Sequence, residues 1–205
     1  YAYMQKKFVT EGETVAPLWV KDGEKLSEWS FWNFGSQAEM GFPFEDGDEI
    51  LIDKSAATYF YLTFLPSELG GATFYLTGLR DSDGNMLNGT DTYKLNVPDD
   101  VPAKDFWSAI VYNMETKNFN RGVDRVGAST KDLDDMVRNE DGSVDLYYAP
   151  NLDEVPEGFE SNWVTTESAT GAKDWFFLFR LYRPETKDWF KKWMLNDVEN
   201  ISARQ

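Results

Sequence analysis

Apolar and polar residues alternate with a period of two along several short stretches of this chain, and turn chemistry bounds each stretch. The clearest is Asp91–Val97, with Tyr93, Leu95 and Val97 on one side and Thr92, Lys94 and Asn96 on the other. Ser143–Tyr148 repeats the pattern with Val144, Leu146 and Tyr148, entered through an Asp141-Gly142 turn. Asp105–Asn113 sets Trp107 in step with Ala109 and Val111, which predicts a core position for the indole. Ala57–Leu65 and Ala72–Arg80 also read as strands, the first stopped by Pro66. Lys173–Tyr182 is almost wholly apolar, so it is expected to be a central strand buried on both faces.

Shorter extended pieces are expected at Ala16–Val20 and Glu49–Asp53, separated by Gly-containing turns. Asp83-Gly84 and Asn88-Gly89 are turn signals suited to positive φ. Helical signals are few. Thr130–Val137 predicts a short helix capped by Ser129 or Thr130. Pro184 can open a terminal helix whose buried stripe is Trp189, Phe190 and Trp193. Many short strands without a βαβ rhythm predict a mainly β fold: an antiparallel, jelly-roll-like β-sandwich with a short C-terminal helix. The sandwich domain is placed at residues 58–205, with 1–57 as an N-terminal extension or inter-domain connection.

Six phrases, in order, carry a resemblance. They are RDSDGNMLNG, TYKLNVPDDVPAKDFWSAIVYNMETK, NEDGSVDLYYAP, ESNWV, WFFLFRLYRP and WFKKWMLNDVE, between about Arg80 and Glu199. With them the chain resembles the bacterial family catalogued as domain of unknown function 1214. The resemblance implies a jelly-roll-like sandwich behind an N-terminal companion domain (domain of unknown function 1254), in proteins often exported. It supplies no catalytic residues. One departure stands out: the family phrase has Gly after its Leu-Tyr pair, where this chain has Arg183.

Charge and composition narrow the chemistry. A net charge of −16 repels phosphate backbones and anionic lipid, which argues against nucleic acid as a partner. With 15 Phe, 10 Tyr and 8 Trp in 205 residues, the chain has ample material for a core. Cysteine and histidine are both absent, so a zinc–thiolate site, a thiol nucleophile and a Ser-His-Asp triad cannot be built within it. No apolar run is long enough for a transmembrane helix, and no membrane span is expected. The opening YAYMQKK is unlike a signal peptide, so a mature or trimmed product of a longer protein is expected, and the resemblance to often-exported proteins implies a periplasmic or extracellular place for it.

Candidate site residues follow from this inventory. The alternating acids of Asp81-Ser82-Asp83-Gly84-Asn85 could offer oxygen to Ca²⁺ through Asp81, Asp83 and Asn85. As an EF-hand the stretch fails, because its Gly comes too early and Thr92 stands where Glu is needed; a hairpin turn is the competing reading, and no cofactor is expected. Asp105, Asp145 and Glu160 are the acids within the family-like phrases that could serve as a catalytic carboxylate pair. Trp163, in a loop after Glu160-Ser161-Asn162, and Tyr147 are candidates for stacking on a ligand. Arg180 interrupts an apolar strand and needs either an acid partner or an anionic ligand.

The expected function is a non-catalytic binding or assembly module, partnered by the missing N-terminal companion and by further copies of itself. In that reading a partner covers the aromatic surface of Tyr1–Phe44. The alternative is a hydrolase acting on a carbohydrate or small ester, its carboxylates lining a cleft shared with the companion.

Overall fold

A computed structural model describes residues 15–32, 45–46, 48–50, 72–116, 118–120, 122–168, 171–172 and 174–202. The strand expected at Ala57–Leu65, the segment Tyr1–Phe44 in large part, and the boundary between residues 57 and 58 lie outside the described residues. In chain order the strands are β1 (Val15–Pro17), β2 (Val20–Lys21), β3 (Glu24–Lys25), β4 (Ser30–Trp32), β5 (Glu45–Asp46), β6 (Glu49–Ile50), β7 (Thr73–Gly78) and β8 (Tyr93–Val97). They continue with β9 (Ala103–Asn113), β10 (Gly127–Ser129), β11 (Val144–Ala149), β12 (Trp163–Thr165), β13 (Glu167–Ser168), β14 (Gly171–Ala172), β15 (Trp175–Pro184) and β16 (Glu199–Asn200). The fold is mainly β, and helix is limited to single 3-10 turns among the described residues.

Two sheets dominate. The larger runs β1-β4-β7-β15-β9-β10 and the smaller β12-β11-β8-β16. β15 lies between β7 and β9, as its apolar sequence requires. Its burial is one-sided, however: Trp175, Phe177, Phe179 and Leu181 are fully buried, while Phe176, Leu178, Arg180 and Tyr182 keep some exposure. The β8–β11 register pairs Leu95 with Leu146 and Tyr93 with Tyr148. Leu95, Leu146 and Val164 of the smaller sheet join Leu76, Trp107 and Phe179 of the larger in one hydrophobic core. Rings bridge the two: Tyr148 stacks on Phe177 at 5.3 Å, and Tyr93 meets Trp175 edge-on at 5.7 Å. Each fully buried side chain of this size contributes about 1.5–3 kcal/mol, so the period-two pattern is the main source of cohesion.

Three further expectations are corrected. First, the sheets are not wholly antiparallel, because β12 runs parallel to β11. The connection over residues 150–162 carries two 3-10 turns, Leu152–Glu154 and Glu160–Asn162, and is long enough to cross back to the starting end. Secondly, among the described residues the C-terminal helix is replaced by a 3-10 turn at Trp189–Lys191. Pro184 closes β15, and Trp189 and Trp193 converge on Trp19, with Trp189 also against Phe74. The chain then runs on without helix through 193–198 into β16, and Leu195 and Val198 are buried in the core. Thirdly, the helix expected over Thr130–Val137 shrinks to Thr130–Asp132, capped by a Ser129–Asp132 capping box. Thr130 is diverted, its hydroxyl accepting the Trp107 N–H at 3.0 Å.

Residues 15–32 are tied into the same body. Trp29 is buried against Phe177 at 5.0 Å, and its indole N–H donates to the Asn196 carbonyl at 2.9 Å. The Trp19 indole donates to the Phe190 carbonyl at 2.8 Å.

Candidate functional site

The outward side of the smaller sheet follows from the alternation that fills the core. With Leu95 and Leu146 directed inward, Lys94, Asn96 and Asp145 face outward, and Asp145 lies opposite Asn96 in register. The tail Asn196–Glu199 closes over this surface, and β16 pairs Glu199 with Lys94. Together with Ser82 they line an open groove of about 640 Å³ whose walls are Lys94, Asn96, Asp145, Asn196, Asp197 and Glu199. Asn96 donates its amide to Asp145 Oδ1 at 2.7 Å and its Oδ1 accepts the Asn196 amide at 2.8 Å. Asp197 Oδ1 accepts the Ser27 hydroxyl at 2.6 Å and the Glu28 N–H at 2.9 Å. Lys94 Nζ stands 3.7 Å from Glu199. The groove is therefore a preset array of amide, carboxylate and ammonium groups, held by bonds along its own walls.

Of the three candidate catalytic acids, only Asp145 reaches this groove. Asp105 is exposed on β9 and pairs with Arg183 at 2.6 Å. Glu160 is exposed in its 3-10 turn, where the Gly158 N–H at 3.0 Å holds its carboxyl below the usual range. Tyr147 and Trp163 do come together, opposite each other across β11 and β12. They form a satellite cluster with Phe159 and Val155 rather than an open platform. The Tyr147 ring meets Phe159 at 5.3 Å, and burial, aided by Asp145, pushes its hydroxyl up. Trp163 is half-buried at the start of a strand, its indole N–H donating to the Ala149 carbonyl at 3.0 Å.

The Asp81–Asn85 segment is a turn. Asp81 is buried, and its Oδ1 accepts the N–H groups of Asp83 (3.0 Å) and Asn85 (2.9 Å). Gly84 supplies the positive φ of 83°. Among the described residues no group of three acids is arranged to hold a metal ion.

Arg180 lies on the opposite side of the molecule's core, on the outward face of the larger sheet. No carboxylate pairs with it among the described residues. It donates instead to the Tyr112 hydroxyl and lies over the Tyr75 and Tyr112 rings at 5.1 and 5.8 Å. Burial raises the Tyr112 hydroxyl, and the guanidinium partly offsets this.

Sequence reasoning missed Asn96, Asn196, Asp197 and Glu199. Asn96 was visible as an outward position of an alternating strand. Nothing in the spacing of the tail signals that it folds back over that strand.

The mainly β body, with its polar groove, has known relatives. The chain belongs to the family described as "Protein of unknown function (DUF1214)", whose model matches residues 72–186, more than half of the chain. Its fold is similar to the VPA0106 protein from Vibrio parahaemolyticus, with a TM-score of 0.52 and 17% identity over 97% of this chain and 41% of that one. A weaker similarity, TM-score 0.38 at 18% identity, joins 65% of this chain to 32% of an uncharacterised protein from Burkholderia cenocepacia. The chain thus spans less than half the length of either solved protein. No curated protein matches it. No helix among the described residues is long and apolar enough to cross a membrane.

Proposed function

We propose that the chain is a non-catalytic binding module of a longer, exported protein, and that its groove takes a polyhydroxylated ligand such as a saccharide unit. Its two sheets would then be the layers of a jelly-roll-like sandwich, for which the shared core is the support. The observation that carries the binding reading is the makeup of the groove walls. Amides and carboxylates offer paired donors and acceptors to ligand hydroxyls, and the wall-to-wall bonds of Asn96, Asp145 and Asn196 fix them before the ligand arrives. Coverage of only 41% of the Vibrio protein supports a longer whole; an N-terminal companion and further copies of the chain are the partners proposed for it. The absence of cysteine suits export without disulfide bridges.

The hydrolase reading has one observation in its favour: Asp145, Asp197 and Glu199 line a single groove. Against it, Asp145 and Asp197 already serve as acceptors for protein donors, and Asp105 and Glu160 are engaged elsewhere.

The test is calorimetric titration of the 205-residue chain with a set of neutral and amino-bearing oligosaccharides. Saturable binding that weakens about tenfold or more in Asn96→Ala supports the reading. Equal affinity in wild type and Asn96→Ala, or no binding by any of them, removes it.

A further inference from the structure

The groove on the smaller sheet is lined by three carboxylates, Asp145, Asp197 and Glu199, and by one ammonium, Lys94, which leaves its walls a net charge of −2. Lys94 stands 3.7 Å from Glu199 and so offsets one of the three. Asp145 and Asp197 have no cation paired with them among the described residues. Their bonds come from neutral protein donors, and in each residue they end on one oxygen. Asp145 Oδ1 accepts the Asn96 amide, and Asp197 Oδ1 accepts the Ser27 hydroxyl and the Glu28 N–H. The Oδ2 atom of each has no protein partner among the described residues and is not sealed from solvent. The Oδ1 bonds thus hold both carboxylates in place without cancelling their charge, and Oδ2 keeps its lone pairs for an incoming donor.

The chemistry of the walls defines the donor. Among the described residues no group of three acids is arranged to hold a metal ion, so an organic ammonium suits these acceptors better than a metal. Asn96 bridges Asp145 and Asn196, which sets amides beside the acids along the same wall. Building on the saccharide reading of this groove, we propose that it selects an amino-bearing saccharide, a sugar with free ammonium groups, over its neutral counterpart. Ammonium groups donate to Asp145 Oδ2 and Asp197 Oδ2 in charge-assisted bonds, and ring hydroxyls pair with the Asn96 and Asn196 amides. The field of a chain with a net charge of −16 draws such a cation in before contact.

The experiment is calorimetric titration of the intact chain with the glucosamine trimer, with its fully N-acetylated neutral form, and with spermidine, a polycation without hydroxyls. The amino trimer should bind about tenfold or more tighter than the acetylated one, the margin between a charge-assisted and a neutral hydrogen bond. The preference should shrink as salt is added. Asp145→Asn and Asp197→Asn each keep an Oδ1 that can accept the same wall bonds and remove the charge. Combined, they should bring the affinities for the two trimers to within about twofold of each other. Lys94→Gln removes the opposing ammonium and should tighten the amino trimer several-fold. Equal wild-type affinity for both trimers overturns the proposal and leaves the saccharide reading standing, whereas binding of neither overturns both. Spermidine bound as tightly as the amino trimer also overturns it, since the amides would then play no part. So does a preference that persists undiminished in the double Asn variant.

Discussion

The same substitution at two tyrosines of the shared core should have opposite signs. Tyr148 and Tyr93 face each other across β11 and β8, both fully buried. The Tyr148 hydroxyl has no hydrogen-bond partner among the described residues, whereas the Tyr93 hydroxyl accepts the Asn88 N–H at 3.1 Å. Tyr148→Phe keeps the ring, including its contacts at 5.3 Å with Phe177 and 5.2 Å with Trp175, and deletes only the unsatisfied oxygen. Relief of a buried unpaired hydroxyl should stabilise by roughly 1 kcal/mol, the low end of its desolvation cost. Tyr93→Phe strips a partner from a turn N–H and should destabilise by about 1–3 kcal/mol. In urea unfolding followed by tryptophan fluorescence, the midpoint should rise for Tyr148→Phe and fall for Tyr93→Phe, with the slope unchanged in both. In thermal melts the Tyr148→Phe gain corresponds to about 2–4 °C for a chain of this size. A loss of 1 kcal/mol or more in Tyr148→Phe would refute the reasoning, because it would mean that the hydroxyl is bonded, for instance to a buried water.

Alkaline pH tests the same pair. Burial is the main cause that raises the Tyr93 hydroxyl to about 12, and burial also pushes Tyr148 up. A folded-state value above the ordinary 10 means that the unfolded chain deprotonates first. Stability is thus intact below pH 10 and falls as pH rises toward 12, by up to about 1.4 kcal/mol per pH unit for each such tyrosine; urea midpoints between pH 9 and 11.5 should show the fall, and Tyr148→Phe should make it shallower. Arg183 has a φ of 53° at the β15 irregularity, so Arg183→Gly should be neutral or stabilise by up to about 1 kcal/mol in chemical denaturation, since the exposed Asp105 pair it gives up is worth little. Gly127→Ala would drive a Cβ into the Ala109 carbonyl oxygen and to 2.9 Å from Ile110 Cα. Backbone cannot yield cheaply there, so a loss of about 1–3 kcal/mol is expected in the same assay.

How much of this was legible in the sequence depends on the range over which each feature is encoded. Period-two alternation is local, and Tyr93–Val97 and Val144–Ala149 are strands with the expected faces inward. The departure at Arg183, noted from the family-like phrase alone, coincides with a left-handed backbone that favours glycine. The tail misled because Trp189, Phe190 and Trp193 have helical spacing, but Trp189 and Trp193 meet Trp19, and Trp189 meets Phe74, rings distant in sequence. The groove was half visible. Asp145 and Lys94 are outward positions of readable strands, while Asn196, Asp197 and Glu199 arrive through a fold-back that no local pattern announces. Arg180 was conspicuous as a charge in an apolar strand; that its neighbours would be tyrosines rather than an acid is a consequence of register.

The central claim is that the groove binds and does not turn over. The most direct measurement holds a bound oligosaccharide with the intact chain at saturating protein for many hours and then separates free, bound and product species by chromatography. The account predicts a saturable bound fraction recovered intact, with no new reducing ends in wild type or in Asp145→Asn. Steady appearance of shorter products, abolished by Asp145→Asn, would contradict it.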